Sequence, residues 1–224
     1  MATPKTVSAP PVTYRVARAD DPLRTSTIRP EDVLLKATGN RYDIPGTGVL
    51  YLASSRVACF AETLSRFRPS PAMRELLADD DDPAFMPLGA VPQDWRTKRT
   101  LATVQVDDRA TFLDVDAPET TTWLSERMAA VLPSLGYDKP LDLSDLHGRD
   151  RALTRLVAMT VFSEENQDGY FLYDGIKYTS RFGTDWTCWA VFEGADTRVL
   201  ANEPIRANDP DLQRLAQQWD LRVH

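Results

Sequence analysis

A five-residue apolar run, Val49 to Ala53, is followed after two serines by apolar residues at Val57, Phe60, Ala61 and Leu64, and this junction constrains the fold more than any other part of the chain. The run has the length and composition of a buried strand. Ser54 or Ser55 then offers a side-chain oxygen to the first free amides of a helix, and the i, i+3, i+4, i+7 spacing that follows is that of an amphipathic helix. The chain therefore turns at the serines and comes back. Glu62 falls beside the apolar stripe, with Ala58 and Ser65 as its neighbours one turn away. A carboxylate at the edge of a core face, flanked by small residues, has room for a ligand.

Other segments supply the rest of an α+β fold. Val12 to Val16 alternates like an early strand, and Val33-Leu34-Leu35 reads as a second; the polar loop Thr38 to Gly48 then carries Arg41 and Tyr42. Residues 1–11, with three prolines, read as a disordered lead-in to one domain over 12–224. The first helix is expected over Ser55–Phe67 and a short one from Ser70-Pro71 to about Ala78, before a loop-rich stretch over 79–100. Ala102, Val104 and Val106 alternate as a strand, and Phe112 to Val115 is another candidate. Pro118 opens a helix with Leu124, Met128, Val131 and Leu135 on one face, and a further helix is expected over Asp150–Phe162. Tyr170–Tyr173, an Asp174-Gly175 turn and Ile176–Ser180 read as a hairpin; Cys188–Phe192 and Arg198–Ala201 read as late strands, and Asp209-Pro210 as the start of a last helix. Strands near both ends with helices between them imply a mixed or antiparallel core.

Composition excludes several classes. A net charge of −7 disfavours a protein that binds nucleic-acid phosphates nonspecifically, since such binding rests on clustered Lys and Arg. No apolar stretch approaches the ~18 residues of a membrane span, and Met1–Pro11 has no apolar run like a secretion signal, so a cytoplasmic protein is expected. Cys59 and Cys188 are expected reduced and buried, and with only His147 and His224 besides, no pair has metal-ligand spacing. Asp79–Asp82 reads as a solvated loop, and His147 as a loop or capping residue.

Taken singly, Arg15, Arg41, Tyr51, Glu62 and Ser180 each have ordinary structural explanations: a surface ion pair, a loop closed against Asp43, a core aromatic, a solvated helix residue, a turn. As a set they carry chemistry. Two arginines bind a pyrophosphate, a tyrosine stacks on or hydrogen-bonds a planar ring, and a carboxylate stabilises a cationic sugar. These are the needs of cleavage of NAD+ at the nicotinamide–ribose bond, which passes through an oxocarbenium-like centre and releases a neutral ring that needs no protein acid.

The order of these pieces resembles the RES-domain family, toxin-type enzymes that act on NAD+. Tyr14-Arg15 resembles its opening strand, Arg41-Tyr42-Asp43 with Gly46 its arginine loop, and Tyr51-Leu52-Ala53 with Ala61-Glu62-Thr63 its strand and helix. Gly175 to Ser180, followed by Trp189 to Phe192, resembles the serine-bearing segment. Asn40 departs from the pattern, standing where the family has a glycine before its arginine, and the stretch 68–150 is long enough to be an inserted lid or partner surface. The resemblance implies a fold like that of ADP-ribosyltransferase toxins, a split β core around an NAD cleft. It implies NAD+ degradation by phosphorolysis or hydrolysis, with NAD+ as substrate, phosphate as a possible co-substrate, no cofactor and no metal, under control of an antitoxin. Glu62, Arg41, Tyr51 and Ser180 would form the catalytic set, and Arg15, Arg41, Tyr42, Tyr51 and Ser180 would bind NAD+, with Tyr51 at the nicotinamide end and Ser180 orienting the ribose or Glu62. Transfer of ADP-ribose to a protein, or a non-catalytic binding module of the same fold, are the alternatives.

Overall fold

The computed structural model describes residues 2–35, 38–76 and 86–224. In chain order the elements are β1 (Thr6–Val7), β2 (Thr13–Arg18), β3 (Val49–Ala53), α1 (Arg56–Leu64), α2 (Pro71–Leu76), β4 (Ala90–Val91), α3 (Gln93–Thr97), β5 (Arg99–Val106), β6 (Phe112–Asp114), α4 (Pro118–Arg127), α5 (Leu143–His147), α6 (Arg151–Phe162), β7 (Gly175–Thr179), β8 (Thr187–Phe192), β9 (Thr197–Pro204), α7 (Pro210–Trp219) and β10 (Arg222–Val223). Eight strands form one mixed sheet in the order β1-β6-β7-β8-β3-β2-β5-β9, with β6 and β7 parallel; β4 and β10 form a small parallel pair. The fold is α+β, as the sequence implies.

The apolar run of β3 is continuous because both of its faces are covered. Val49 and Ala53 pack into the larger core with Phe60, Leu64 and Val157, while Leu50 and Leu52 pack on the other face with Val104, Phe112 and Trp189. Burial of each leucine contributes about 1.5–3 kcal/mol. Ser55 caps α1 by accepting the Ala58 amide at 3.3 Å, and Val57, Phe60, Ala61 and Leu64 are buried as their spacing predicts. Arg56, in the first turn, is tied to Glu203 of β9 and to Asp209 and Asp211 at the start of α7.

What positions the site is a split in the sheet. Six register pairs join β2 to β5, and five join β3 to β8, but β2 and β3 meet only at Tyr14 opposite Ala53. Beyond that contact the strands separate, and α1 lies against β2 on the side where they part.

Several expected elements differ. Residues 1–11 are not a loose lead-in: Thr6–Val7 pairs with Leu113 and Phe112, and the Lys5 amide donates to Thr120 Oγ1 at 3.0 Å. Val33–Leu35 is a turn after a 3-10 segment at Pro30–Asp32, because the carbonyls of Val33 and Leu35 accept a buried arginine side chain instead of a neighbouring strand. The helix from Pro118 stops at Arg127; Pro133 has no amide to continue it, and Leu132 is buried from a 3-10 turn instead. Within 68–150, β5 and β6 belong to the main sheet. Ala78 and Asp79–Asp82 lie outside the described residues.

The hairpin is also displaced. Tyr170–Tyr173 forms only an isolated bridge, Phe171 to Glu165, and β7 begins at Gly175 and pairs with β8 across the 180–186 loop. Gly175 joins the strand by pairing with Phe112 and Val191, and it must be glycine because a Cβ there would strike the Ala190 carbonyl and come within 2.9 Å of the Phe112 ring. Gly175→Ala is therefore expected to destabilise the fold by about 1–3 kcal/mol, the usual cost of overpacking. A denaturant midpoint equal to that of the native chain would refute this contact.

Candidate active site

Between the separated strands lies a cavity of about 320 Å³, lined by Arg15 and Val16 of β2, Tyr51 to Ala53 of β3, Cys59, Glu62 and Thr63 of α1, Tyr178 of β7 and Cys188 of β8. Asn40 and Arg41 enter from the loop before β3, Arg149, Arg151 and Thr154 from the start of α6, and Arg181 from the loop after β7. Among the described residues that line it, five are arginines and Glu62 is the only acidic one. A −7 chain has thus gathered cations around a single carboxylate.

Glu62 is held by Ser180. The buried Ser180 hydroxyl donates to Glu62 Oε1 at 2.7 Å and accepts the Phe182 amide at 3.1 Å, so its one proton is directed at the carboxylate. Glu62 Oε2 has no hydrogen-bond partner among the described residues. Sequence separation of 118 is closed here by β7, which carries Ser180 to the C-terminal part of α1.

Tyr51 presents its ring rather than its hydroxyl. The hydroxyl donates to Asp43 Oδ1 at 2.9 Å and accepts the Tyr42 amide at 3.0 Å. Burial first, then the Asp43 charge, hold this phenol well above its ordinary pKa, so it stays protonated. Asp43 is fully buried and also accepts from Ser26 Oγ at 2.8 Å and the Asn40 amide at 2.5 Å. Arg41 does not close the loop against Asp43. Its guanidinium donates to the Leu146 carbonyl and lies 5.4 Å from the centroids of both the Tyr42 and Tyr178 rings.

Tyr42, expected to touch substrate, does not line the cavity. It is fully buried beneath Arg41, its ring centroid 4.9 Å from that of Tyr178, and burial raises its pKa to about 12. Its contribution is to seat Arg41 and to fix Tyr51 through its amide. Arg15 lines the cavity and donates to the Arg24 carbonyl at 2.5 Å, leaving Nη1 buried without a partner among the described residues. Burial lowers its pKa to about 10, against the opposing effects of Cys59 and Asp21. An anion in the cavity would satisfy that orphaned donor and offset the cost of its desolvation.

Arg155 was not among the expected residues. It is fully buried and donates to the carbonyls of Asp32, Val33, Leu35, Thr38 and Asn40, clamping the loop that delivers Arg41 and Asp43. Its signal in the sequence was a cation three residues from both Ala152 and Ala158 on an apolar helix stripe. The loop also needs a glycine, one residue earlier than the resemblance implies: Gly39 has φ +60°, and a Cβ there would lie 2.8 Å from Asp43 Oδ2.

Neither cysteine is a nucleophile in this setting. Both are free and buried, and burial pushes both thiols up, away from the thiolate. His147 ends α5 with Nε2 2.7 Å from Asp116 Oδ1, in a network where Asp116 also accepts from Lys177 and Thr179. Burial opposes ionisation of Asp116, but these bonds outweigh it and lower its pKa.

Comparison with known proteins follows the same lines. A family model described as RES domain matches residues 12–223. A chain in the crystal structure of the M. tuberculosis MbcT-MbcA toxin-antitoxin complex superposes over 96% of this chain and 91% of its own, with a TM-score of 0.53 and 16% identity. At that identity the likeness is one of fold. No curated protein matches in sequence.

Proposed function

We propose that this chain, which belongs to the RES domain family, is the toxin of a toxin–antitoxin pair and degrades NAD+ by breaking its nicotinamide–ribose bond. The observation that carries this reading is Glu62, oriented by Ser180 at 2.7 Å in a cavity whose other charged lining residues, among those described, are five arginines. Cations bind the pyrophosphate, and the carboxylate faces the sugar.

In this reading the C1′–N bond breaks with its electron pair passing to the pyridinium nitrogen, so nicotinamide leaves neutral. Positive charge develops on the ribose, and Glu62 interacts with it more strongly in the transition state than in the ground state. Ser180 acts as a positioning residue by holding Oε1. The faces of Tyr51 and Tyr178 border the nicotinamide, and the unpartnered Nη1 of Arg15 and the guanidinium of Arg41 meet phosphate or ribose oxygens. Water or inorganic phosphate then attacks C1′ and completes the substitution. NAD+ is thus substrate, consumed in the cytoplasm, and neither a cofactor nor a metal is invoked. The fold neighbour's presence in a toxin-antitoxin complex supports an antitoxin partner here; carboxylates of that partner, placed near Arg15 and Arg41, would compete for the phosphate positions.

The test is incubation of the purified, partner-free chain with NAD+, with and without phosphate, following nicotinamide by chromatography. Release that requires phosphate and yields a phosphorylated ADP-ribose identifies a phosphorylase. Release in either buffer identifies a glycohydrolase. A folded, partner-free sample that releases none refutes the proposal.

A further inference from the structure

The first cavity is at the low end of the ~300–1,000 Å³ range of ligand sites, whereas NAD+ consists of two nucleotides. A second and wider cavity, about 1070 Å³, adjoins it and shares Ser65, Arg149 and Arg181 with its wall. Its lining adds Arg66, Arg68 and His147, and no aspartate or glutamate is among the described residues that line it. No ion pair to a described carboxylate engages Arg66, Arg68, Arg149 or Arg181. Arg66 and Arg68 are held over aromatic rings, Phe67 at 4.7 Å and Trp219 at 4.3 Å, which orients their guanidinium groups without neutralising them. Phe182 supplies an aromatic surface on the same wall.

We infer that this second cavity binds the ADP half of the dinucleotide, the pyrophosphate running from the Arg15 and Arg41 side of the first cavity to the Arg149–Arg181 boundary and the adenosine end reaching Arg66, Arg68 and Phe182. The inference rests on the NAD+-cleaving reading for its substrate, but the binding site itself is separable from the chemistry. Glu62 fixes where the ribose carbon must be, in the first cavity, and the adjoining cavity across the shared wall has room for the remainder of the molecule. That wall is cationic, and cationic forks suit phosphates.

ADP, which has no bond to cleave, is the direct probe. The native chain is expected to bind ADP in calorimetry, and Arg66→Ala/Arg68→Ala to weaken that binding by about tenfold or more. These two side chains are exposed and make no hydrogen bond to Glu62 or Ser180, so the variant should keep its unfolding midpoint; Arg66→Lys/Arg68→Lys, which retains charge, should recover part of the affinity. In turnover, the alanine variant should raise KM for NAD+ with kcat kept, and leave cleavage of nicotinamide mononucleotide, which lacks the adenosine half, unchanged. Absent ADP binding by the native chain, or equal binding by the alanine variant, overturns the inference. If ADP binds as expected but NAD+ is not cleaved, the subsite stands and the catalytic reading alone fails.

Discussion

Glu62→Gln is expected to reduce nicotinamide release from NAD+ by on the order of 10² or more, about 3 kcal/mol of transition-state stabilisation, with little change in unfolding midpoint. Glutamine keeps an oxygen acceptor for the Ser180 proton, so the geometry at 2.7 Å is retained while the negative charge is removed. The loss should therefore fall on kcat: the charge that matters develops on the ribose only as the bond breaks. Because glutamine keeps the size of Glu62 and the acceptor for Ser180, the substitution should change stability by no more than about 1 kcal/mol. Steady-state kinetics beside a urea titration separates the two effects. A fully active variant would remove Glu62 from the mechanism; an inactive but unfolded one would make it a structural residue.

Arg155→Ala should have the largest effect on stability, about 3–5 kcal/mol. Five backbone carbonyls, those of Asp32, Val33, Leu35, Thr38 and Asn40, accept from this one buried side chain. A hydrogen bond to a charged donor contributes about 1.5–3 kcal/mol, and buried carbonyls left unpaired cost a further desolvation penalty. The bonds form one unit, so their sum is not additive. Activity should fall with stability, since the loop Arg155 clamps carries Arg41 and the Asp43 carboxylate that holds Tyr51. Arg155→Lys should recover little, because an ammonium lacks the planar fork that reaches carbonyls on both sides. A denaturant midpoint within about 1 kcal/mol of the native value would show that the loop holds itself.

Local pattern carried much of the fold. β3, α1, α6 and α7 were legible because an apolar run, a capping serine or aspartate and a 3.6-residue stripe are local causes of local structure. The misreadings share one origin. Val33–Leu35 has strand composition, but its carbonyls are taken by Arg155, more than 100 residues away. Thr6–Val7 has no strand signal of its own and is a strand only because β6 offers an edge. Tyr170–Tyr173 has the aromatic composition of a strand, yet the partner of β7 is β8.

The candidate site divides in the same way. Sequence by itself determined which residues are available: Arg15, Tyr51 and Glu62 stand within recognisable strands and a helix, Arg41 in a polar loop and Ser180 at a strand end, and their types already specify an anion, a planar ring and a cationic sugar. Tertiary structure decided what each one does. It turned Tyr42 into the core under Arg41, committed the Tyr51 hydroxyl to Asp43, aimed Ser180 at Glu62, and brought Arg149, Arg151 and Arg181 to the cavity rim. The reason is physical: a side chain's type is a property of one residue, whereas its free donors, charge and exposure depend on which distant groups the sheet places beside it.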